Sequence, residues 1–351
     1  MSTEINTLKS QYDIDDMHSA ICDFPNQIDL VFNIFSDWKA KNQYKDINNI
    51  LVLGMGGSAI GGDVTRVLVQ DSCKIPIMVN RSYNIPAWVN SNTLVIASSY
   101  SGNTEETLSA FEQCKLANSK IIAITTGGQL LELAKEESLD IVIIPAGYQP
   151  RAALGLSFTS ILLLLNKLNM VNDLIVSQLK EAIPVIKTHT NSFITNSIVN
   201  SAFDIAKKIE NTIPIIYGGE DLTWVSGLRF RGQIEENAKM LAFHHNMPEM
   251  NHNEIEGWNF YPNLVENTTI IWLKDQDDHP RITKRIETSK ELLRDKSSSQ
   301  ITIWEEGRNR IERLLKLIHM TDWVSYYLAL LNKVNPTPVD QIQRLKRKMA
   351  E

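Results

Sequence analysis

Short apolar runs recur along this chain, each followed by a stretch with helical spacing. Five fall in the first half: Asn49–Leu53, Pro76–Asn80, Thr93–Ala97, Lys120–Thr125 and Asp140–Pro145. Runs of this length, rich in Ile, Val and Leu, read as strands covered on both faces. Strands that alternate with helices form a parallel sheet with helices on both sides. Residues 1–45 and Gly155–Val185 read as helical, and the apolar run Ile161–Leu165 is expected to pack on the sheet. A second round begins with a strand at Thr212–Tyr217, ending in Gly218-Gly219-Glu220-Asp221. A helix is predicted from Leu222 to Phe243, strands at Thr268–Leu273 and Gln300–Trp304, and helix over Arg308–Val334. The pattern predicts an α/β protein of two related units, residues 1–170 and 171–351, an imperfect internal duplication.

Ligands of such sheets bind beyond the carboxyl ends of the strands, and two unusual turns stand there. Gly54-Met55-Gly56-Gly57-Ser58-Ala59-Ile60-Gly61-Gly62 follows the first strand; Ser98-Ser99-Tyr100-Ser101-Gly102-Asn103-Thr104 follows the third. Each opens into a helical pattern. Amides at a helix N-terminus lack intrahelical acceptors and sit at the positive end of the dipole, so both turns favour an anion. Together they can converge on one phosphate. The second adds the hydroxyls of Ser99, Ser101 and Thr104, more than the one that helix capping needs. The second unit has a glycine turn but no copy of this hydroxyl turn, which predicts one phosphate site per chain.

The glycine turn also fits a dinucleotide fold, which shares the spacing Gly54-x-Gly56. Position 59 is Ala, however, and the second strand ends in Asn80-Arg81 instead of an acidic residue for a ribose hydroxyl. Arg81 could meet a 2′-phosphate, so an NADP-dependent oxidoreductase stays open as a competing reading. No Gly-Lys-Ser/Thr follows, which excludes a nucleoside-triphosphate loop.

Composition narrows the partners. With 351 residues, 43% hydrophobic and 22% charged, the chain is that of a globular protein of two domains. A net charge of -6 argues against a general nucleic-acid binder. Cys22, Cys73 and Cys114 are odd in number and lack metal-ligand spacing, as expected of reduced thiols in the cytoplasm. The N-terminus lacks the features of a signal peptide, and the most apolar stretch, Ala152–Leu165, is too short to span a bilayer. His244 and His245 have no Cys or carboxylate at a useful ligand spacing, so no metal site is expected. The seven Trp are scattered and read as packing residues.

Taken together, the motifs resemble the bifunctional phosphoglucose/phosphomannose isomerase family. The resemblance runs in order through Asp23-Phe24-Pro25-Asn26-Gln27-Ile28, the two turns, Pro150-Arg151-Ala152-Ala153-Leu154-Gly155, Glu235-Glu236-Asn237-Ala238-Lys239, Asn251-His252-Asn253-Glu254-Ile255 and Asn335-Pro336-Thr337-Pro338-Val339. It implies two flavodoxin-like sugar-isomerase (SIS) domains. It implies an aldose–ketose isomerase that interconverts glucose 6-phosphate or mannose 6-phosphate with fructose 6-phosphate, by ring opening and proton transfer through a cis-enediol. No metal or organic cofactor is implied. Gly57, Ser58, Ser99, Ser101 and Thr104 would hold the phosphate, and Arg151 would sit beside the reacting carbons. Glu236 would be the base, His252 would assist ring opening, and Lys346 would complete the site from the C-terminal helix. Arg344, Arg347 and Lys348 compete with Lys346, because helix register is not readable there. Thr337 resembles the small hydroxyl residue that bifunctional members carry. A homodimer is implied, with the site near the domain cleft and His252 donated by the partner.

Enediol chemistry by itself asks for a carboxylate base, a cation near the developing oxyanion and an acid–base group for ring opening. Glu236, Arg151 and His252 are of those types. Their ordinary readings are a solvated helix residue, a surface cation and a loop histidine. Glu235 is the decoy beside Glu236. A non-catalytic phosphosugar sensor would keep both turns and lack one of the three.

Overall fold

The computed structural model describes residues 2–194, 200–260 and 262–349. The chain divides into two compact units, one of residues 23–185 and the other of residues 1–22 with 186–351. The division expected at residue 170 falls instead within the helix Asp173–Ile194, and the first 22 residues join the second unit. Helical spacing near a terminus does not say which core a helix will join.

The first unit carries β1 (Asn49–Leu53), β2 (Ile77–Asn80), β3 (Thr93–Ser99), β4 (Lys120–Thr125) and β5 (Asp140–Ile143). All pairings are parallel and the order is β2-β1-β3-β4-β5. Leu51, Leu53, Val95, Ala97 and Ala123 pack with Phe111, Cys114 and Leu130 in one buried cluster. The helix Gly56–Val69 lies very close to the sheet at Gly62, where a methyl group would stand 3.0 Å from Val52 Cγ1. At Gly61 it meets a second helix, with Ser157 Oγ 2.5 Å from where a Cβ would be. That second helix, Leu154–Lys167, is buried from Leu154 to Leu165. It packs chiefly on the helices Gly56–Val69 and Phe24–Asp37, one layer away from the sheet it was expected to cover. A helix that is apolar all round does not indicate its neighbour.

The second unit carries β6 (Ile213–Gly219), β7 (Phe243–Met247), β8 (Thr268–Leu273) and β9 (Ser299–Ile303), all parallel, in the order β7-β6-β8-β9. Counted within its own unit, each sheet runs second-first-third-fourth, and the first adds a fifth strand. This is the flavodoxin-like order, so the duplication read from the sequence holds at the level of topology. The helix expected from Leu222 to Phe243 is shorter. It covers Thr223–Gln233, continues as a π-helical turn Ile234–Ala238, and stops at Lys239 with φ 59°. β7 follows as an edge strand with one buried residue, Met247, so no apolar run announces it.

The helix Arg310–Leu331 is buried along nearly its whole length, against Ser201–Ile209, Thr223–Gln233 and Met17–Cys22. Its buried Asp322 is forked by Arg229, with Nε to Oδ1 at 2.9 Å and Nη2 to Oδ2 at 2.7 Å, and takes a third bond from Gln233 Nε2 at 3.0 Å. Removing either charge would leave the other buried and unpaired. Tyr326 O–H donates to Asp13 Oδ2 at 2.9 Å, and the His18 ring stands edge-on to Trp323 at 5.2 Å. Burial pushes His18 down to about 4, so a neutral ring is packed there. Among the described residues no helix is long and apolar enough to cross a membrane, and Cys22, Cys73 and Cys114 form no disulfide.

Candidate active site

β1 and β3 are neighbours, and their crossovers leave in opposite directions, to β2 and β4. Their carboxyl ends therefore form the switch point at which open α/β sheets bind ligands. Both turns lie there. The backbone N–H of Tyr100 donates to Ser58 Oγ at 3.3 Å and so fastens one turn to the other. Ser99 Oγ lies 2.9 Å from Thr104 Oγ1 and accepts the N–H of Gly102 at 3.1 Å, while Ser101 Oγ accepts the N–H of Asn103 at 3.3 Å. In these amide contacts the hydroxyl oxygens accept. The O–H protons of Ser58, Ser101 and one member of the Ser99–Thr104 pair stay available as donors. Ser99 is only 1% exposed and acts as the strut of the turn, whereas Ser101 is exposed at its tip. Gly102 has φ 71°, and a Cβ there would lie 1.8 Å from Gly127 O, so only glycine fits.

Arg151 stands beside the glycine turn. It sits on the short turn Pro150–Ala152 and is 4% exposed. That turn rests directly on the start of the helix Gly56–Val69: a Cβ on Gly57 would lie 2.4 Å from Pro150 O and 3.5 Å from Arg151 Cα. Three further residues hold the segment. Tyr148 donates its N–H to Tyr100 Oη at 3.0 Å and its hydroxyl to Asp23, and Gln27 Nε2 donates to Ala152 O at 2.7 Å. Asp23 and Gln27 stand in the early run that carried the resemblance, but nothing in that run assigns them this role.

Arg81, the candidate for a 2′-phosphate, is instead bonded to the buried Asp63. Burial raises the Asp63 carboxyl and the Arg81 charge opposes that shift. This pair removes the one feature that favoured NADP.

In the second unit Glu236 lies on the π-turn, half-buried, with Asn237 fully buried beside it and bonded to Ser325 Oγ at 3.0 Å. π-Turns inside helices are rare and frequent at functional sites. Glu235 is raised by burial; Arg231, 3.8 Å away, opposes the shift and Glu236 adds to it. Lys239 Nζ donates to the carbonyls of Glu236, Pro336 and Pro338, so the turn holding Thr337 stands beside the π-turn. Asn332 Nδ2 donates to Ala238 O at 3.0 Å, and Thr337 N to Asn335 Oδ1 at 3.1 Å.

His252 is exposed on the turn Glu249–His252, just past the carboxyl end of β7. Glu236 ends the crossover that precedes β7, at the amino end of the same sheet. The two residues therefore stand toward opposite ends of the sheet. Lys346 lies on the helix Asp340–Met349, where every residue is exposed, and nothing there separates it from Arg344, Arg347 and Lys348. His244 is pushed down to about 4 by burial and His245 Nδ1 meets Glu254 Oε2 at 2.6 Å. Among the described residues no group of three or more His, Cys, Asp or Glu is placed to hold a metal ion.

Fold and turns define a two-domain SIS protein: residues 43–168 match the SIS domain, and residues 198–349 match the bacterial phospho-glucose isomerase C-terminal SIS domain. The C-terminal domain of glucosamine-fructose-6-phosphate aminotransferase from Francisella tularensis shares the fold, with a TM-score of 0.71 at 14% identity over 90% of this chain and 96% of that one. The bifunctional phosphoglucose/phosphomannose isomerase of Caldicellulosiruptor bescii is 42% identical over 95% of this chain and 99% of its own length. That of Aquifex aeolicus is 35% identical over 91% and 97%. The chain belongs to the bifunctional phosphoglucose/phosphomannose isomerase family.

Proposed function

We infer that the protein is an aldose–ketose isomerase that interconverts glucose 6-phosphate and mannose 6-phosphate with fructose 6-phosphate in the cytoplasm. The observation that carries the reading is the pair of hydrogen-bonded turns at the switch point, with Arg151 set against them, in a chain that relatives bearing this activity in their names match from end to end. The phosphate is held by amides and hydroxyls at Gly57, Ser58, Ser99, Ser101 and Thr104. These contacts are the same for aldose and ketose, so they bind without favouring either. Arg151 offers its positive charge to the oxyanion that develops at C1 or C2. Glu236 moves the proton between those carbons through the cis-enediol, its carboxylate accepting on one face and returning to the other carbon. Thr337 contacts the sugar near C2, where the two aldoses differ, and Lys346 completes the site.

His252 assists ring opening, and it serves the site of a partner copy in a homodimer. Its place toward the opposite end of the sheet from Glu236 supports this arrangement. The test is a coupled assay of purified protein on both hexose phosphates and in reverse from fructose 6-phosphate, with sedimentation for the dimer. Turnover of neither aldose would leave a phosphosugar-binding protein without this chemistry.

A further inference from the structure

We propose that Lys239 is a positioning residue that sets the base against the specificity turn. The proposal rests on the roles given above to Glu236 and Thr337. An ammonium group has three N–H donors and no acceptor, and Lys239 Nζ directs them to three carbonyls: Glu236 O, Pro336 O at 3.2 Å and Pro338 O at 2.6 Å. The first is the carbonyl of the residue whose carboxylate moves the proton. The other two flank Thr337.

Two further observations say that this side chain is there for its reach. Lys239 has φ 59°, in the left-handed region that ends helices and that glycine or asparagine adopts most easily. A lysine accepts that conformation at a disadvantage, and glycine would end the π-turn with less strain. The segment it grips also has few backbone donors of its own. Pro336 and Pro338 have no N–H, and the N–H of Thr337 is already given to Asn335 Oδ1. A single cation holds the two carbonyls together with Glu236 O. Loss of that cation would let the base and the Thr337 turn shift relative to each other. Glucose and mannose differ only in configuration at C2, so such a shift changes the rate and also the choice between the two sugars.

The experiment compares Lys239→Met, Lys239→Arg and Glu236→Gln with the parent protein on both aldose phosphates, with melting temperatures alongside. For K239M we expect kcat to fall about 10–100-fold with KM within about threefold, and the mannose-to-glucose kcat ratio to move at least threefold. K239R keeps the charge but offers a planar fork in place of three tetrahedral donors. It should fold like the parent, recover part of kcat and keep a shifted ratio, which settles the matter if K239M fails to fold. A parental ratio in K239R or K239M, with kcat reduced no further than the folded fraction, overturns the proposal. E236Q separates the underlying reading: full activity there removes Glu236 as the base, while a moved ratio in the Lys239 variants would still mark the lysine as the tether of the specificity turn.

Discussion

The two sheets have the same strand order, yet the turn after the third strand of each is built from opposite chemistry. In the first unit it is Ser98–Thr104, a run of hydroxyl side chains without a carboxylate, in which Ser99 and Ser101 accept the turn's own amides. In the second it follows β8, where Asp275, Asp277 and Asp278 crowd into four residues. Arg313, 2% exposed at its side chain, answers them: Nε meets Asp275 Oδ2 at 2.7 Å, and Nη2 bonds Asp275 and Asp277. Asp278 Oδ2 accepts the N–H of Asp275 at 2.9 Å, and burial still pushes its carboxyl up to about 6. A phosphate arriving there would meet carboxylates whose cation is already engaged. The lesson is that the scaffold offers a crevice twice and the turn residues decide which crevice takes a ligand.

The largest effect expected concerns the base. Glu236→Gln keeps the shape and removes the basicity, so kcat should drop by about 10²–10⁴ with little change in KM, while Glu235→Gln stays near parental rates. Solvent deuterium exchange at C1 and C2 reads this directly, and exchange persisting in E236Q would mean that the wrong carboxylate has been chosen. Next comes the phosphate. Ser101→Ala with Thr104→Ala should raise KM about 10–100-fold, since hydrogen bonds to a charged group are worth about 1.5–3 kcal/mol each and water replaces part. The matching change in the other unit, Asp277→Asn, should leave KM within about twofold; equal effects from the two turns would erase the contrast drawn above.

A smaller effect probes the acidic turn itself. The folded protein holds a proton on Asp278 more tightly than the unfolded chain, from an ordinary value of 3.8 up to about 6. Ionising it therefore costs the folded state, and that cost is present above pH 6 and absent below pH 4. Asp278→Asn should raise Tm by about 2–5 °C at pH 8 and give no gain near pH 4. Dialysis against a chelator should change nothing; loss of activity with rescue by a divalent ion would send attention back to His244, His245 and His252.

Among the described residues eight of the nine strands were legible, because each carries β-branched or aliphatic residues on at least one face. β7 was not, because Phe-His-His-Asn-Met sits at an edge with only Met247 buried. The phosphate turns were legible for a local reason: glycine and hydroxyl residues stand where strand gives way to helix. Glu236 could be singled out by residue type and resemblance, but the π-turn beneath it could not, since helical propensity is the same for both windings. The residues that hold the site from a distance left no local mark. Asp23 meets Tyr148 across 125 residues, and Lys239 grips backbone carbonyls, which every residue has.

The helix Arg310–Leu331 also fixes the order in which the chain can be completed. Asp13 finds Tyr326, 313 positions later, and His18 finds Trp323. On the ribosome Asp13 and His18 emerge long before these partners exist, by about 15–60 s at typical elongation rates of about 5–20 residues per second. Residues 23–185 contain every strand of their own sheet and can close it during that interval. The opening helices must wait as a tethered segment until the last quarter of the chain is made. Truncation before Trp323 would therefore leave Asp13 and His18 without these partners.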